Sequence, residues 1–208
     1  MLAQGRESNE SSASKPQLQI RVAALDTQTW IQNVLSNFDQ FLINHAACER
    51  KASATAIQFV VRFPDRPELV DPMLRLAKEE LHHFHEVMRL IQKRGLRLIS
   101  DERDPYINAL LVLARNGRNE NFLDRLLIFG IAEARGTERF GLVGKHIQDE
   151  VLANFYQNLS AAEDRHHRIF LDLAFLYFSE NEIRSRLDVL VASEAKIVKG
   201  LPIRAAVH

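Results

Sequence analysis

Apolar residues recur at intervals of three and four in long segments from Trp30 onward, and no segment alternates apolar and polar residues over a useful length. A spacing of three and four places the apolar side chains on one face of an α-helix, whereas strict alternation would indicate a β-strand. Glycine and proline, which interrupt helices, are sparse within these segments. The pattern therefore predicts an all-α protein.

Interruptions of this pattern divide the chain into five main helices. The interruptions hold residues that commonly end or cap helices: a turn with two prolines at 63–67, Gly95, Asp149, and Ser179 with Glu182 as a capping box. The predicted helices cover residues 29–62, with a break near 37–40, then about 72–94, 122–143, 150–178 and 180–198, and a short helix covers 107–115.

The connection over residues 95–121 is long, whereas the turns within the first and second helix pairs are short. Two helical hairpins joined by one long crossover are typical of a ferritin-like four-helix bundle, while an up-down-up-down bundle would need short loops throughout. We therefore expect a ferritin-like four-helix bundle with one long crossover connection, an additional short helix and a C-terminal helix.

Composition agrees with one folded domain, since 46% of the 208 residues are hydrophobic and 26% are charged. We expect residues 1–20, rich in Ser, Asn and Glu, to form a flexible N-terminal tail and residues 21–208 to form the domain. The single cysteine, Cys48, has no partner for an internal disulfide, and no apolar run reaches the eighteen residues of a membrane helix. These features favour a cytoplasmic protein with no membrane partner.

Two of the predicted helices carry a Glu-x-x-His motif, as Glu80 with His83 and Glu163 with His166. Residues three apart are neighbours on a helix surface, so each pair can bind one metal ion. All four residues continue the apolar stripes of their helices and are expected to point inward. A carboxylate buried among apolar groups requires a proton, a counter-charge or a metal, and two such pairs favour a metal.

Helical register also separates these motifs from a competing pair. Glu79 and His82 have the same spacing, but they share their stripe with charged residues, which is typical of a solvated face. We therefore leave them out of the candidate site.

Two further carboxylates follow from the geometry of a hairpin, in which residues at one height are equally far from the turn. Glu49 mirrors Glu80 about a midpoint inside the proline turn, and Glu133 mirrors Glu163 about a midpoint in the predicted loop. The mirror point for Glu138 would fall inside the next helix. We therefore choose Glu133 and keep Glu138 as the reserve.

The candidate ligand set contains four carboxylates and two imidazoles: Glu49, Glu80, His83, Glu133, Glu163 and His166. Four negative charges match two divalent cations, and oxygen-rich ligation with one imidazole per metal suits iron or manganese better than a structural zinc site. We prefer a di-iron centre. His45 and Glu138 are candidates for an outer shell, although His45 also fits an ordinary core histidine.

The alternative to a metal site is a plain helical bundle. In that arrangement the acids would form ion pairs with nearby arginines, and the histidines would form hydrogen bonds within the core. The arginines concerned are Arg50, Arg135 and Arg165.

Four segments, taken together, resemble the bacterial tRNA 2-methylthio-N6-isopentenyladenosine hydroxylase family, MiaE, in order over about residues 30–194. The segments read HAACERKA at 45–52, EELHHF at 79–84, EARGTERF at 133–140 and EDRHH at 163–167. Two places depart from the family pattern. Gly136-Thr137 replaces a Ser-Cys pair, and the chain ends in PIRAAVH where the family would have an Arg-Phe-His-Ser-Gly-like ending.

The resemblance implies a non-haem di-iron monooxygenase that hydroxylates the isopentenyl group of the modified adenosine at position 37 of tRNA. It also implies dioxygen as co-substrate and an external electron donor, either a protein or a small reductant, with no DNA partner. A chain with 27 basic and 27 acidic residues must bind tRNA through a local basic patch. The candidate contacts, each of which also fits an ordinary solvated surface, are Lys93, Arg94, Arg97, Arg115 and Arg118.

A second function shares the metal ligands and needs no RNA, namely a rubrerythrin-like peroxidase or an iron-handling ferritin-like protein. The sequence lacks the Cys-x-x-Cys pairs of a rubredoxin module, which counts against the usual rubrerythrin arrangement. A ribonucleotide reductase radical subunit is disfavoured because the chain is short and Tyr156 lies two helical turns from Glu163.

Overall fold

A computed structural model describes residues 18–208, and in this part of the chain there are seven α-helices and no β-strand. The predicted all-α class is confirmed. Residues 1–17, most of the predicted tail, lie outside the described residues. The helices are α1 Thr27–Ser36, α2 Phe38–Arg62, α3 Pro67–Lys93, α4 Pro105–Leu111, α5 Arg118–His146, α6 Glu150–Tyr177 and α7 Glu180–Gly200.

Four long helices of 25 to 29 residues form the bundle. The turns at 63–66 and 147–149 are short, so α2 pairs with α3 and α5 pairs with α6 as antiparallel hairpins. Residues 94–117 connect the two hairpins and carry α4. The predicted ferritin-like bundle with one long crossover, a short helix and a C-terminal helix is therefore confirmed.

The predicted break in the first helix lies at Asn37, which separates α1 from α2. Its backbone departs from helical geometry, with φ −130° and ψ 43°, and its N–H donates to the carbonyl oxygens of Asn33 and Val34 at 3.1 Å. The residue therefore ends one helix and precedes the next, with no loop between them.

Helix α3 begins at Pro67, five residues before the predicted start at Pro72. Proline at the first helical position loses no hydrogen bond, which explains the earlier start. Pro72 lies inside the helix and removes one backbone hydrogen bond. Leu69 and Met73 are fully buried on either side of it, and this packing holds the helix together.

The crossover helix and α5 also begin earlier than predicted. The carboxylate of Asp104 accepts hydrogen bonds from the backbone N–H groups of Tyr106 and Ile107, so α4 begins at Pro105. Helix α5 begins at Arg118, four residues before the predicted start. The predicted caps of α6 and α7 are confirmed, with Asp149 capping α6 and Ser179 forming a capping box with Glu182.

Two buried ion-pair clusters attach the crossover and α7 to the second hairpin. Arg135 donates to both carboxylate oxygens of Glu194 at 2.9 and 3.0 Å, and the hydroxyl of Tyr106 donates to the same carboxylate at 3.0 Å. Asp124, which is fully buried, binds arginines from the crossover and from α7. These contacts fix the position of α4 relative to the bundle.

The packed domain includes residues before position 21. Ile20 is 5% exposed, and its side chain occupies the space where a Cβ on Gly130 would lie. The predicted tail boundary at residue 20 therefore falls inside a packed segment. Among the described residues, no helix is both long and apolar enough to cross a membrane.

Replacing Gly144 with alanine is expected to destabilise the second hairpin by about 1–3 kcal/mol, because the added methyl group overpacks the contact. A Cβ at this position would lie 3.0 Å from the backbone nitrogen of Gln157 and 3.2 Å from the carbonyl oxygen of Ala153, neither of which can move freely. Thermal unfolding measures the effect. Gly136→Ala is the matched control, since its Cβ would meet no atom closer than 3.7 Å. Equal melting temperatures for the two variants would contradict the expectation.

Candidate metal centre

The six predicted ligands come from the four long helices and face a common region of the bundle interior. Five of them are at most 8% exposed, and Glu133 is partly exposed and lines the same pocket as three of the other carboxylates. Helix α2 supplies Glu49, α3 supplies Glu80 and His83, α5 supplies Glu133, and α6 supplies Glu163 and His166.

His83 lies between three carboxylates. Its Nδ1 atom is 3.7 Å from Glu49 Oε2, 3.7 Å from Glu80 Oε2 and 3.6 Å from Glu163 Oε1. These separations are longer than hydrogen bonds, and His83 Nδ1 is buried without a hydrogen-bond partner. The imidazole nitrogen and the carboxylate oxygens therefore surround one small volume.

His166 faces the same volume from the other side. Its Nδ1 atom lies 2.7 Å from Glu80 Oε1 and 3.4 Å from Glu163 Oε2, without hydrogen-bond geometry. Its Nε2 atom lies 3.0 Å from Glu79 Oε2, which orients the ring and leaves Nδ1 directed inward. Glu79 lies on the solvated face, as predicted, and it also contacts this candidate ligand. Its side chain is 47% exposed and still reaches the ring from outside.

The buried atoms without partners fit a pair of metal ions. They include Glu80 Oε1, Glu163 Oε1 and the Nδ1 atoms of His83 and His166, and buried polar atoms are rarely left unpaired. One ligand atom from each of these four residues lies within 4.8 Å of the others. Oxygen donors with one imidazole per ion suit iron, so the residues present fit a di-iron centre.

The electrostatics of the cluster require positive charge. Burial raises the pKa values of Glu49 and Glu80, and burial together with the charges of Glu163 and Glu80 raises the pKa of Glu133 well above its usual range. Burial alone would lower the pKa of His83, but the neighbouring carboxylates raise it to about 10. Without a cation, the cluster therefore retains protons.

Burial and nearby carboxylates also shift the pKa of His166 in opposite directions. Burial lowers its pKa, and the carboxylates of Glu163 and Glu80 outweigh burial and raise the pKa to about 12. In the metal-free protein these protons supply positive charge. Two bound divalent ions would supply that charge instead.

His45, a candidate for the outer shell, contacts the candidate ligand Glu49. Its Nε2 atom is 2.7 Å from Glu49 Oε1, and its Nδ1 atom is 3.2 Å from the hydroxyl of Tyr156. Burial lowers the pKa of His45 to about 3, so the ring is neutral. An ionised Glu49 can only accept, so Nε2 donates to it and Nδ1 accepts from Tyr156. This chain of hydrogen bonds orients Glu49.

Glu138, the reserve candidate, pairs with an arginine of its own helix, and its assignment to an outer shell stays a prediction. It accepts a hydrogen bond from Arg135 at 2.8 Å, in the cluster that holds Glu194. Glu138 follows Glu133 by five residues, which turns it to another face of α5. The arginines named in the plain-bundle alternative do not pair with the four candidate carboxylates. Arg50 pairs with an aspartate of the crossover, Arg135 pairs with Glu138 and Glu194, and Arg165 donates to a backbone carbonyl.

Part of the remaining pocket wall is apolar. Phe129, Phe140 and Phe170 line it together with Ala132 and Gly136, and its volume is about 120 Å³. Lys51, Thr55, Asp104 and His208 also line the pocket. The four carboxylates therefore share a cavity with an apolar surface that suits a hydrocarbon group.

The predicted tRNA contacts do not form one surface. Lys93, Arg94 and Arg97 follow the end of α3, whereas Arg118 pairs with an aspartate in the turn before α3, so a helix of 27 residues and about 40 Å separates them. Arg94, Arg115 and Arg118 form ion pairs with aspartates at 2.6, 2.8 and 2.6 Å. Lys93 and Arg97 are exposed.

Comparison with protein families gives one match over nearly the whole chain. The model of the family described as tRNA-(MS[2]IO[6]A)-hydroxylase (MiaE) matches residues 16–208.

Two curated proteins named tRNA 2-(methylsulfanyl)-N(6)-isopentenyladenosine(37) hydroxylase are similar in sequence. The protein of Pseudomonas putida is 32% identical over 184 residues, which cover 88% of this chain and 89% of that protein. The protein of Salmonella typhimurium is 32% identical over 131 residues, which cover 63% of this chain and 48% of that protein.

A solved structure is similar in both fold and sequence. It is titled Protein 43 with aldehyde deformylating oxygenase activity from Synechococcus, and it superposes with a TM-score of 0.86 at 33% identity. The match covers 92% of this chain and 96% of that one.

Substituting Glu80 or Glu163 with alanine is expected to remove most of the bound iron, because each removes an inward carboxylate that faces both histidines. The loss of affinity should exceed the roughly 10- to 100-fold effect of removing an outer partner of a ligand. Elemental analysis after anaerobic loading with ferrous iron measures it. Glu86→Ala on the outer face of α3 is the control and should keep its iron. Full iron content in both test variants would show that the ligand assignment is wrong.

The metal-free protein is expected to lose stability as the pH rises. His83 and His166 have folded pKa values of about 10 and 12 against an ordinary value of 6.5, so the folded state binds more protons than the unfolded state. The stabilisation is complete below about pH 6.5 and declines as the pH rises towards 10. Thermal unfolding in a chelator between pH 6.5 and 9 measures this decline. Iron-loaded protein should not show this decline. A melting temperature of the metal-free protein that rises with pH would contradict the argument.

Proposed function

This chain belongs to the MiaE family of tRNA hydroxylases, and we propose that it hydroxylates the isopentenyl group of 2-methylthio-N6-isopentenyladenosine at position 37 of tRNA. The observation that carries the proposal is the pocket, in which four inward carboxylates and two histidines lie beside an apolar cavity. A five-carbon alkenyl group is the part of the modified nucleoside that fits apolar walls. The nucleobase and its phosphates stay outside the bundle.

We assign the di-iron centre to Glu49, Glu80, His83, Glu133, Glu163 and His166. When bound, the iron pair supplies reduction of dioxygen and transfer of an oxygen atom to carbon. The protein holds the carboxylates at one height, directs His166 through Glu79 and directs Glu49 through His45. Phe129 and Phe170 present an apolar surface that excludes water and orients the alkenyl chain.

The reaction consumes one dioxygen, two electrons and two protons for each hydroxyl group formed. One oxygen atom enters a C–H bond of the alkenyl group, and the other leaves as water. The electrons come from an external donor, a reductase protein or a small reductant. A tRNA substrate implies that the enzyme acts in the cytoplasm.

A second candidate activity is aldehyde deformylation, favoured by the likeness to the Synechococcus protein that is titled with that activity. The apolar pocket beside the carboxylates would also accept the chain of a fatty aldehyde. A rubrerythrin-like peroxidase has less support, because peroxide is small and polar and needs no such walls.

Iron-loaded, reduced protein exposed to dioxygen is expected to add one oxygen atom to the prenylated nucleoside of tRNA that lacks the hydroxyl. Digestion of the RNA and mass spectrometry of its nucleosides measure the product. Glu163→Ala should reduce the yield by about 100-fold or more, because it removes an inward carboxylate. Protein without iron is the second control.

Parallel reactions separate the other activities. A fatty aldehyde tests the activity named for the Synechococcus protein, and hydrogen peroxide tests the rubrerythrin-like alternative. Faster turnover of either one, with no oxygen gained by the RNA, would overturn the proposal.

A further inference from the structure

A wide outer groove lies next to the metal pocket and shares part of its wall. The groove has a volume of about 700 Å³ and runs between the second half of α2 and the crossover. It shares five wall residues with the metal pocket: Lys51, Thr55, Asp104, Ile107 and Phe129. These shared residues are therefore the boundary between the groove and the pocket that holds the carboxylates.

Four cations line the outer groove: Lys51, Arg62, Arg103 and Arg125. Within residues 18–208, none of them forms an ion pair with a carboxylate. Arg62 and Arg103 are exposed, and Lys51 donates to the backbone carbonyl of Glu102 at 2.9 Å. The positive charge of the groove is therefore available to a partner.

The acids of the same groove are already engaged. Asp101 and Glu102 lie 2.5 and 3.8 Å from arginines, and Asp104 lies 3.2 Å from His208 while it caps α4. They therefore contribute little net negative charge to the groove. The groove therefore has more unpaired cations than unpaired acids, although the whole chain has no net charge.

Two of the cations lie side by side. Arg62 and Arg125 both donate to the same oxygen atom, Oδ1 of Asn121, at 3.1 Å each. Burial and the charge of Arg62 lower the pKa of Arg125. Two guanidinium groups that share a neutral acceptor repel each other, and an anion placed between them relieves the repulsion. Guanidinium groups bind phosphate through two parallel hydrogen bonds.

Apolar side chains continue along the groove beside these cations. Val61 is 75% exposed, and Ile107, Leu111 and Phe129 form the wall that leads to the metal pocket. Proteins that recognise single-stranded RNA loops combine cations for phosphates with apolar surfaces for splayed bases. An acidic protein partner would use the charge, but it would have no part to place in the inner pocket.

We infer that the outer groove is the docking surface for the anticodon stem–loop. Arg62, Arg125 and Arg103 bind its phosphates, and the alkenyl group of nucleotide 37 passes between Thr55 and Phe129 into the metal pocket. This inference rests on the proposed function, because it assumes that the inner pocket takes the alkenyl group. The surface does not use the ion-paired arginines Arg94, Arg115 and Arg118.

Binding of a labelled anticodon stem–loop to iron-loaded protein under anaerobic conditions tests the surface. The probe carries 2-methylthio-N6-isopentenyladenosine at position 37, and fluorescence anisotropy gives the dissociation constant at several salt concentrations. Arg62→Gln and Arg125→Gln should each weaken binding by about tenfold, because each removes a charge-assisted contact. Each should also reduce the slope of log affinity against log salt by about 0.7.

Arg184→Gln is the matched control, since it removes the same charge from an exposed arginine on α7 that already pairs with Glu180. It should bind the stem–loop as the wild-type protein does. Because Arg125 is half-buried, melting temperature and iron content are measured for every variant. Arg103→Gln, on the exposed crossover, provides a substitution that the fold tolerates.

The outcomes separate this inference from the proposed function. Weakened binding by the groove variants together with no oxygen gained by the bound RNA would support the surface and overturn the hydroxylation. Hydroxylation by a wild-type protein whose groove variants bind RNA normally would overturn the surface alone. The surface is also wrong if the groove variants keep their RNA affinity and only slow electron transfer from an acidic donor protein.

Discussion

Four carboxylates held within one water-poor pocket need positive charge, and the rest of the structure is arranged around that requirement. Glu80 and Glu163 are at most 2% exposed, and the arginines nearest in sequence are directed elsewhere. In a medium of low polarity, unpaired negative charge would oppose folding. The imidazoles of His83 and His166 retain protons in the absence of a cation. Two divalent ions would replace the positive charge of these protons. A stable fold and a metal-binding site are therefore consequences of the same cluster.

The set of candidate ligands could be proposed from the sequence because helical geometry is local and hairpin geometry is simple. A spacing of three places Glu80 and His83 on one face, and reflection through a short turn brings Glu49 and Glu133 to the same height. The fold could be predicted for the same reason, since turn lengths and caps such as Asp149 depend on a few neighbouring residues. The structure brings all of these side chains together.

The residues that sequence reasoning missed act across helices. Glu79 lies on the outer face of α3 by periodicity, and it reaches His166 only because α6 packs beside it. The role of Tyr156 depends likewise on a contact with His45, 111 residues away in sequence. The start of α3 at Pro67 was missed because buried contacts on both sides tolerate Pro72 inside the helix. Periodicity shows which face a residue occupies, but the reach of a long side chain depends on tertiary packing.

The distribution of ion pairs explains how a chain with equal numbers of acidic and basic residues can still attract a polyanion. Pairing is uneven, because Arg94 and Arg118 are neutralised by aspartates whereas Arg62 and Arg125 share only an amide oxygen. No count of charges along the sequence could reveal this, since each partner comes from a distant segment. Four cations without an ion pair, Lys51, Arg62, Arg103 and Arg125, line the groove between α2 and the crossover, next to the pocket that holds the carboxylates. The crossover that makes the bundle ferritin-like therefore also forms one wall of the groove that we propose for RNA binding.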